Sequence, residues 1–405
     1  MTAETASKVP QVRFKGFDRE WEEKSLGALG RVAMNKRVFK HQTSETGDVP
    51  FYKIGTFGKE PDSFISRKLF DEYKAKFPYP HKGDLLISAA GSIGRIVEYG
   101  GKDEYFQDSN IVWLQHDGAI VNSFLKQFYS FVAWAGLEGS TIKRLYNKNI
   151  LETLIVLPER KEQAKLGEYF RELDSLIGLH RRKHDKLVTL KKAMLQKMFP
   201  KPGATTPEIR FKGFEGDWVE KALGEVATFS KGYGYSKSDL TVTGTPIVLY
   251  GRLYVAYQAE IAKVDTFVAE KIGSIKSSGK EVVVPASGET SEDIARASAI
   301  LTKGIILGGD LNIIYPIERL SNSFLAITLS NGKPQSDLAK KAQGKSVVHV
   351  RKEDIASTVI SFPQLPEQQK IGAYFRTLDT LIAQHATQLQ KLQQIKSACL
   401  EKMFV

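Results

Sequence analysis

The residues best suited to chemistry in this chain are cations interleaved with aromatic, amide and hydroxyl groups. "MNKRVFK" (34–40), "STIKRLYNK" (140–148) and "GKSVVHVRK" (344–352) are the clearest cases. Lysine, arginine and hydroxyls contact phosphates, while arginine, asparagine and serine also reach base edges, so such mixtures suit a nucleic acid. Each stretch alone reads equally as a solvated basic surface. The Gly-rich "AAGSIGR" (89–95) follows a strand-like run. It is either a plain turn or a loop whose backbone N–H groups meet a phosphate, and it lacks the full dinucleotide fingerprint.

Motifs for catalysis are scarce. The chain has no G-x-x-x-x-G-K-[ST] loop, no H-E-x-x-H and no G-x-S-x-G elbow. It has no Pro-Pro pair, which the Asx-Pro-Pro-aromatic motif of adenine methylation requires. Pro61-Asp62, Glu72 and Lys74 loosely match the Pro-Asp…Glu-x-Lys pattern of metal-dependent nucleases. That pattern is short and has no counterpart later in the chain. A single cysteine, Cys399, rules out an internal disulfide and a cysteine metal cage. The N-terminus is polar and reads as no signal peptide, and no run approaches a membrane span. The net charge of +12 points to a polyanionic partner, nucleic acid first and an anionic membrane surface second.

The elements that must position these residues are written twice. "RFKGF" occupies 13–17 and again 210–214, each followed in register by a tryptophan (Trp21, Trp218) and a Leu-Gly pair (Leu26-Gly27, Leu223-Gly224). About a hundred dissimilar residues follow, with islands such as "DSNIVWL" against "GDLNIIY". Likeness then returns: "EQAKLGEYFRELDSLI" (162–177) parallels "EQQKIGAYFRTLDTLI" (367–382). Each half is a shared opening segment, a variable body and a shared closing segment, too long a period for a solenoid repeat.

The closing segments read as long helices. Leu166, Leu173, His180, Leu187 and Met194 recur every seven residues, as do Ile371, Leu378, His385, Leu392 and Cys399. Apolar companions lie three or four positions on, among them Leu176 and Leu190, Leu381 and Ile395. This is a coiled-coil seam. The helices begin near Pro158 and Pro366, and the first breaks at "FPKPG". About 38 residues at a rise of 1.5 Å give roughly 57 Å, and chain direction makes the pair antiparallel. The bodies read as mixed α/β, with strands at "VPFYKIG", "DLLISAA", "NIVWLQ", "TPIVLYG", "EVVVPAS" and "NIIYPI", and helices at "SFLKQFYSFVAWAGL" and "SDLAKKAQ".

On these doubled opening and closing segments, and above all on "PEQQKIGAYFRTLDTLI" and its copy, the whole chain resembles the DNA-specificity subunits of type I restriction-modification systems. The resemblance implies two target-recognition domains, each reading one half of a split, asymmetric site on double-stranded DNA. It implies that the paired helices set the spacer and dock methyltransferase subunits, with a restriction and translocase subunit joining the assembly. It implies a subunit without catalytic residues or bound cofactor, in the cytoplasm, with S-adenosylmethionine, ATP and Mg²⁺ on the partners. The competing readings are an enzyme with its own nuclease or methyltransferase activity, and a pure coiled-coil interaction protein.

The expected fold class is α+β: two mixed α/β domains separated by two long antiparallel coiled-coil helices, related by a pseudo-twofold repeat. The boundaries read as 1–157 for the first recognition domain, 158–200 for the first helix, 201–362 for the second domain and 363–405 for the second helix. Polar residues at strand and loop ends are the DNA-contact candidates: Lys53, Ser92, Arg95, Lys143 and Arg144 in the first body, and Tyr250, Arg252, Ser287, Lys345 and His349 in the second. Inserting a few helical residues in one closing segment should change the gap between half-sites and leave the half-sites themselves intact. Mapping of methylated adenines checks this.

Overall fold

A computed structural model describes residues 8–134, 144–344 and 347–405. The chain divides into two compact units, Met1–His180 with Gln388–Val405, and Arg181–Thr387. In the first, the run "DLLISAA" yields the strand Leu85–Ser88, buried at all four positions. It is central in an antiparallel sheet ordered Gly30–Ala33, Ile111–His116, Leu85–Ser88, Ile96–Glu98. Continuous burial explains why this strand lacks alternation: both its faces are covered. The helix Asn122–Phe131 places Phe124, Leu125 and Phe128 in one core with Leu85, Ile87, Val112 and Leu114. A smaller sheet, Phe64–Ile65, Val49–Tyr52, Tyr105–Phe106, packs an aromatic group around Phe70, Tyr79 and Tyr105.

The second unit repeats the core of this plan with different residues. Val282–Pro285 is buried throughout and pairs antiparallel with Leu311–Pro316 and Ser298–Ile300. Ala227–Lys231 and the short Glu260–Ile261 complete a five-stranded sheet. Asn322–Leu329 covers it, contributing Phe324, Leu325 and Leu329 to the core. The "SDLAKKAQ" stretch lies in the helix Gly332–Lys341 and its C-terminal exit.

The closing segments form the helices Arg160–Lys197 and Leu365–Met403. Within each unit, the start of one helix lies antiparallel to the end of the other. In the first unit Asp174 meets Lys396 at 2.7 Å, the Tyr169 hydroxyl lies 3.4 Å from the Cys399 sulfur, and Phe170 packs on Phe404. The contact to Cys399 pushes the Tyr169 phenol up to about 12. In the second unit Lys191 pairs with Asp379, and Phe199 packs on Phe375. The seam differs from its expected width. Leu166, Leu173, Ile371 and Leu378 are buried, but Leu176, Leu190, Leu381 and Ile395 stay exposed. A two-helix seam covers only one narrow stripe per helix, so companions on its flank remain open.

The doubled opening phrase is bolted to the doubled closing phrase. Arg13 donates two hydrogen bonds to the Glu162 carboxylate, both 2.7 Å, and Arg210 does the same to Glu367. The Glu162 side chain is 0% exposed and that of Glu367 1%. Phe14 packs edge-on against Tyr169, and Phe211 against Tyr374. Lys165 and Lys370 sit over the paired phenylalanines Phe14 and Phe17, Phe211 and Phe214. Just beyond, Glu22–Ser25 pairs with Leu154–Leu157 and Val219–Ala222 with Val359–Phe362. The repeated Gly167 is needed for close approach: a Cβ there would lie 2.0 Å from Ser123 Oγ and 2.9 Å from the Phe124 nitrogen. Arg13→Ala leaves a buried carboxylate unpaired and should destabilise its unit by about 3–5 kcal/mol. Denaturant unfolding checks this, and a loss below about 1 kcal/mol would show that the pair does not hold the frame.

Candidate nucleic-acid interface

The end of the central strand is the place where each body builds its loops. In the first unit the strand leaves Ser88 and turns through Ala89–Arg95. The Ala89 N–H donates to the Asn110 carbonyl at 2.7 Å, and the Ala89 carbonyl accepts from Leu145 N–H at 2.9 Å. Ala90 and Arg144 form a β-bridge. The turn that leads into Asn110 is tight: Ser109 has φ +50°, a left-handed backbone that non-glycine residues seldom adopt.

The second unit builds the same corner. Ala286 N–H donates to the Asp310 carbonyl at 2.8 Å, and Val350 N–H donates to the Ala286 carbonyl at 3.1 Å. Ser287 pairs with His349 across the short strands Ser287–Gly288 and Val348–His349. Asp310 itself has φ +57°. Arg144 and His349 thus stand at equivalent places, each on the returning segment beside the strand end.

Several of the candidate residues come together here. Ser92 and Arg95 are exposed on the Gly-rich turn. The Ser92 carbonyl accepts from Ser88 Oγ, and Arg95 Nη1 donates to the Phe57 carbonyl at 2.9 Å. This ties the turn to the neighbouring 53–59 loop, where Lys53 pairs with Asp62 at 2.9 Å. The hydrogen bond from Lys53 holds the Asp62 carboxyl below its ordinary value. Arg144 Nη2 donates to Asn110 Oδ1 at 3.0 Å. In the second unit Ser287 is buried and donates to Asp310 Oδ2 at 2.8 Å, while His349 is exposed. Tyr250 is 40% exposed and packs edge-on against Tyr254, whose hydroxyl donates to the Ser287 carbonyl. Arg252 is turned inward: its side chain is 16% exposed and pairs with Asp265 at 2.6 Å, which lowers the Asp265 pKa. Lys143 and Lys345 lie outside the described residues.

Sequence reasoning missed Asn110 and Asp310. The signal was present, because both fall in the islands "DSNIVWL" and "GDLNIIY" that survive between the dissimilar bodies. It also missed Arg37, exposed on the "MNKRVFK" stretch and paired with Asp108 at 2.7 Å. The nuclease-like residues are not assembled. Asp62 holds Lys53, Glu72 holds Lys76 at 3.1 Å, and Lys74 holds Asp103 at 3.1 Å. Among the described residues no group of three or more His, Cys, Asp or Glu is arranged to hold a metal ion.

The two halves that build this repeated frame each match the same family model. The family model for the type I restriction modification DNA specificity domain matches residues 18–189 and again 215–394. The chain belongs to this specificity-domain family. A protein of Haemophilus influenzae assigned as a type I restriction enzyme specificity subunit is 51% identical over 152 residues, a match spanning 37% of this chain and 40% of that relative. A Methanocaldococcus jannaschii protein assigned as the MjaX specificity subunit is 21% identical over 93% of this chain and 91% of its own length. Among solved structures, the S subunit of a type I restriction-modification system from M. genitalium aligns over 98% of this chain and 99% of its own, with a TM-score of 0.58 and 16% identity. That likeness concerns the fold. In this specificity-domain chain no helix among the described residues is long and apolar enough to cross a membrane.

Proposed function

We propose that this chain is the DNA-reading subunit of a type I restriction-modification complex and performs no catalytic step itself. Residues 1–157 and 201–362 are its two target-recognition domains, and 158–200 and 363–405 are the helices that set the spacer. The carrying observation is the repeated corner. One backbone frame presents an arginine, Arg144, in the first unit and a histidine, His349, in the second. Different side chains on one frame read different half-sites, so the site is bipartite and asymmetric. Ser92, Arg95, Lys53 and Tyr250 border these corners and supply further contacts, as do Lys143 and Lys345 by their sequence neighbourhood. Arg252 and Ser287, being turned inward, support the loops that make contact. The net charge of +12 suits a phosphate backbone.

The partners follow from the helices. Leu176, Leu179 and Leu190, with Leu381 and Ile395, are exposed apolar residues on the long helices and suit docking of helical methyltransferase subunits. A restriction and translocase subunit completes the assembly, and S-adenosylmethionine, ATP and Mg²⁺ belong to those partners. The site of action is the cytoplasm, where the DNA is. Modified-base mapping of the host with and without this gene should show one asymmetric two-part motif vanish on deletion. The purified chain alone should neither cut DNA with Mg²⁺ nor methylate it with S-adenosylmethionine. Either activity in the isolated chain would replace this reading with that of an enzyme.

A further inference from the structure

We infer that Asn110 is a positioning residue that aims the Arg144 guanidinium at a guanine in the half-site read by the first unit. The inference rests on the DNA-reading role proposed above and assigns it to one atom pair.

The backbone of Arg144 is fixed by its bridge to Ala90 and by the hydrogen bond from the following Leu145 N–H to the Ala89 carbonyl. Its side chain is held by Nη2 donating to Asn110 Oδ1 at 3.0 Å. The chemistry of that partner matters. Arg13, Arg37 and Arg67 of the same unit each hold a carboxylate, at 2.7, 2.7 and 2.6 Å, so their charge is spent inside the protein. Asn110 offers a neutral amide oxygen. It engages one of five N–H donors, restrains the guanidinium at that nitrogen, and adds no negative charge to offset it. Among the described residues no carboxylate forms an ion pair with Arg144. An oriented, charged guanidinium with free donors is the group that pairs with guanine O6 and N7 in the major groove.

Asn110 is itself held rigidly. Its carbonyl accepts from Ala89 N–H, its N–H donates to the Asp108 carbonyl, and it follows the left-handed Ser109. The second unit argues that this is a base-reading place rather than a phosphate anchor. On the same frame the residue at Arg144's place is His349, and the residue at Asn110's place is Asp310, bonded to Ser287. Phosphates are alike at every step, so a phosphate anchor gains nothing from a change of chemistry at that place, whereas two different half-sites demand one.

The test is modified-base mapping in cells that express the assembled complex with Arg144→Ala, Asn110→Ala or Asn110→Asp. The wild-type motif should contain a guanine in the first unit's half-site. Arg144→Ala should lower the preference for that guanine by about 10- to 100-fold at that one position, with the other half-site unchanged as an internal check on folding. Asn110→Ala should relax the same position, and Asn110→Asp, whose carboxylate would take up the Arg144 charge as the partners of Arg13, Arg37 and Arg67 do theirs, should relax it as well. Uniform loss of modification with an intact motif in Arg144→Ala would assign Arg144 to phosphate and overturn the inference. An unchanged motif in Arg144→Ala would overturn it as well. Relaxation in Arg144→Ala with a wild-type motif in Asn110→Ala would leave base reading standing and overturn the positioning role. If deletion of the gene removed no motif, the DNA-reading role itself would fall.

Discussion

The buried pairing of Arg13 with Glu162, and of Arg210 with Glu367, is the constraint on which the rest depends. A carboxylate with no exposed surface is costly unless its charge is met and its lone pairs are filled. Among the described residues they are filled by guanidinium forks from the opening phrases, 2.7 Å away at both oxygens. Each opening phrase is therefore fixed on the start of the helix that closes the same half. The antiparallel pairs Glu22–Ser25 with Leu154–Leu157, and Val219–Ala222 with Val359–Phe362, extend that closure into the body.

A body whose two ends are held side by side is free to differ in between. That is what the two units do. Among the described residues, and besides two-stranded pairs, the first has a four-stranded and a three-stranded sheet, the second a five-stranded and a four-stranded one. The closing glutamines reinforce the frame in both. Gln163 accepts from Val121 N–H and donates to the Pro158 carbonyl, and Gln368 accepts from Ser321 N–H and donates to the Pro363 carbonyl. The loop corners then sit on a constant support, and in the function proposed above their side chains set what is recognised. The repeated residues hold the frame while the corner residues differ, and a scaffold divided in this way can accommodate unlike targets.

Much of this was legible in the residues. The doubled "RFKGF" and "EQ…YF…LD" phrases mark the frame, the seven-residue periodicity marks the long helices, and the buried strand runs mark the sheet centres. The partner of Glu162 was not legible, because Arg13 is brought to it only by the tertiary fold. Nor was the flank of the helix seam, since Leu176 and Leu381 have the composition of core residues and differ only in what covers them. The candidate site was half legible. Arg144 and His349 fall at matching places in the repeat and do occupy matching places in space. Arg252 reads as a polar residue at a strand end, and the fold pairs it with Asp265. Asn110 and Asp310 meet Arg144 and Ser287 only in the tertiary fold, and the left-handed φ beside them falls on Ser109 and on Asp310 itself rather than on a glycine, so only their place in the two surviving islands marks them.

The central claim is that two independent readers are mounted on one repeated frame. The most direct measurement is to replace residues 201–362 with the corresponding segment of another family member, leaving both Arg–Glu pairs in place, and to map modified bases in cells carrying the exchanged complex. One half of the motif should be replaced while the half read by the first unit is unchanged. Alteration of both halves, or of neither, would contradict the account.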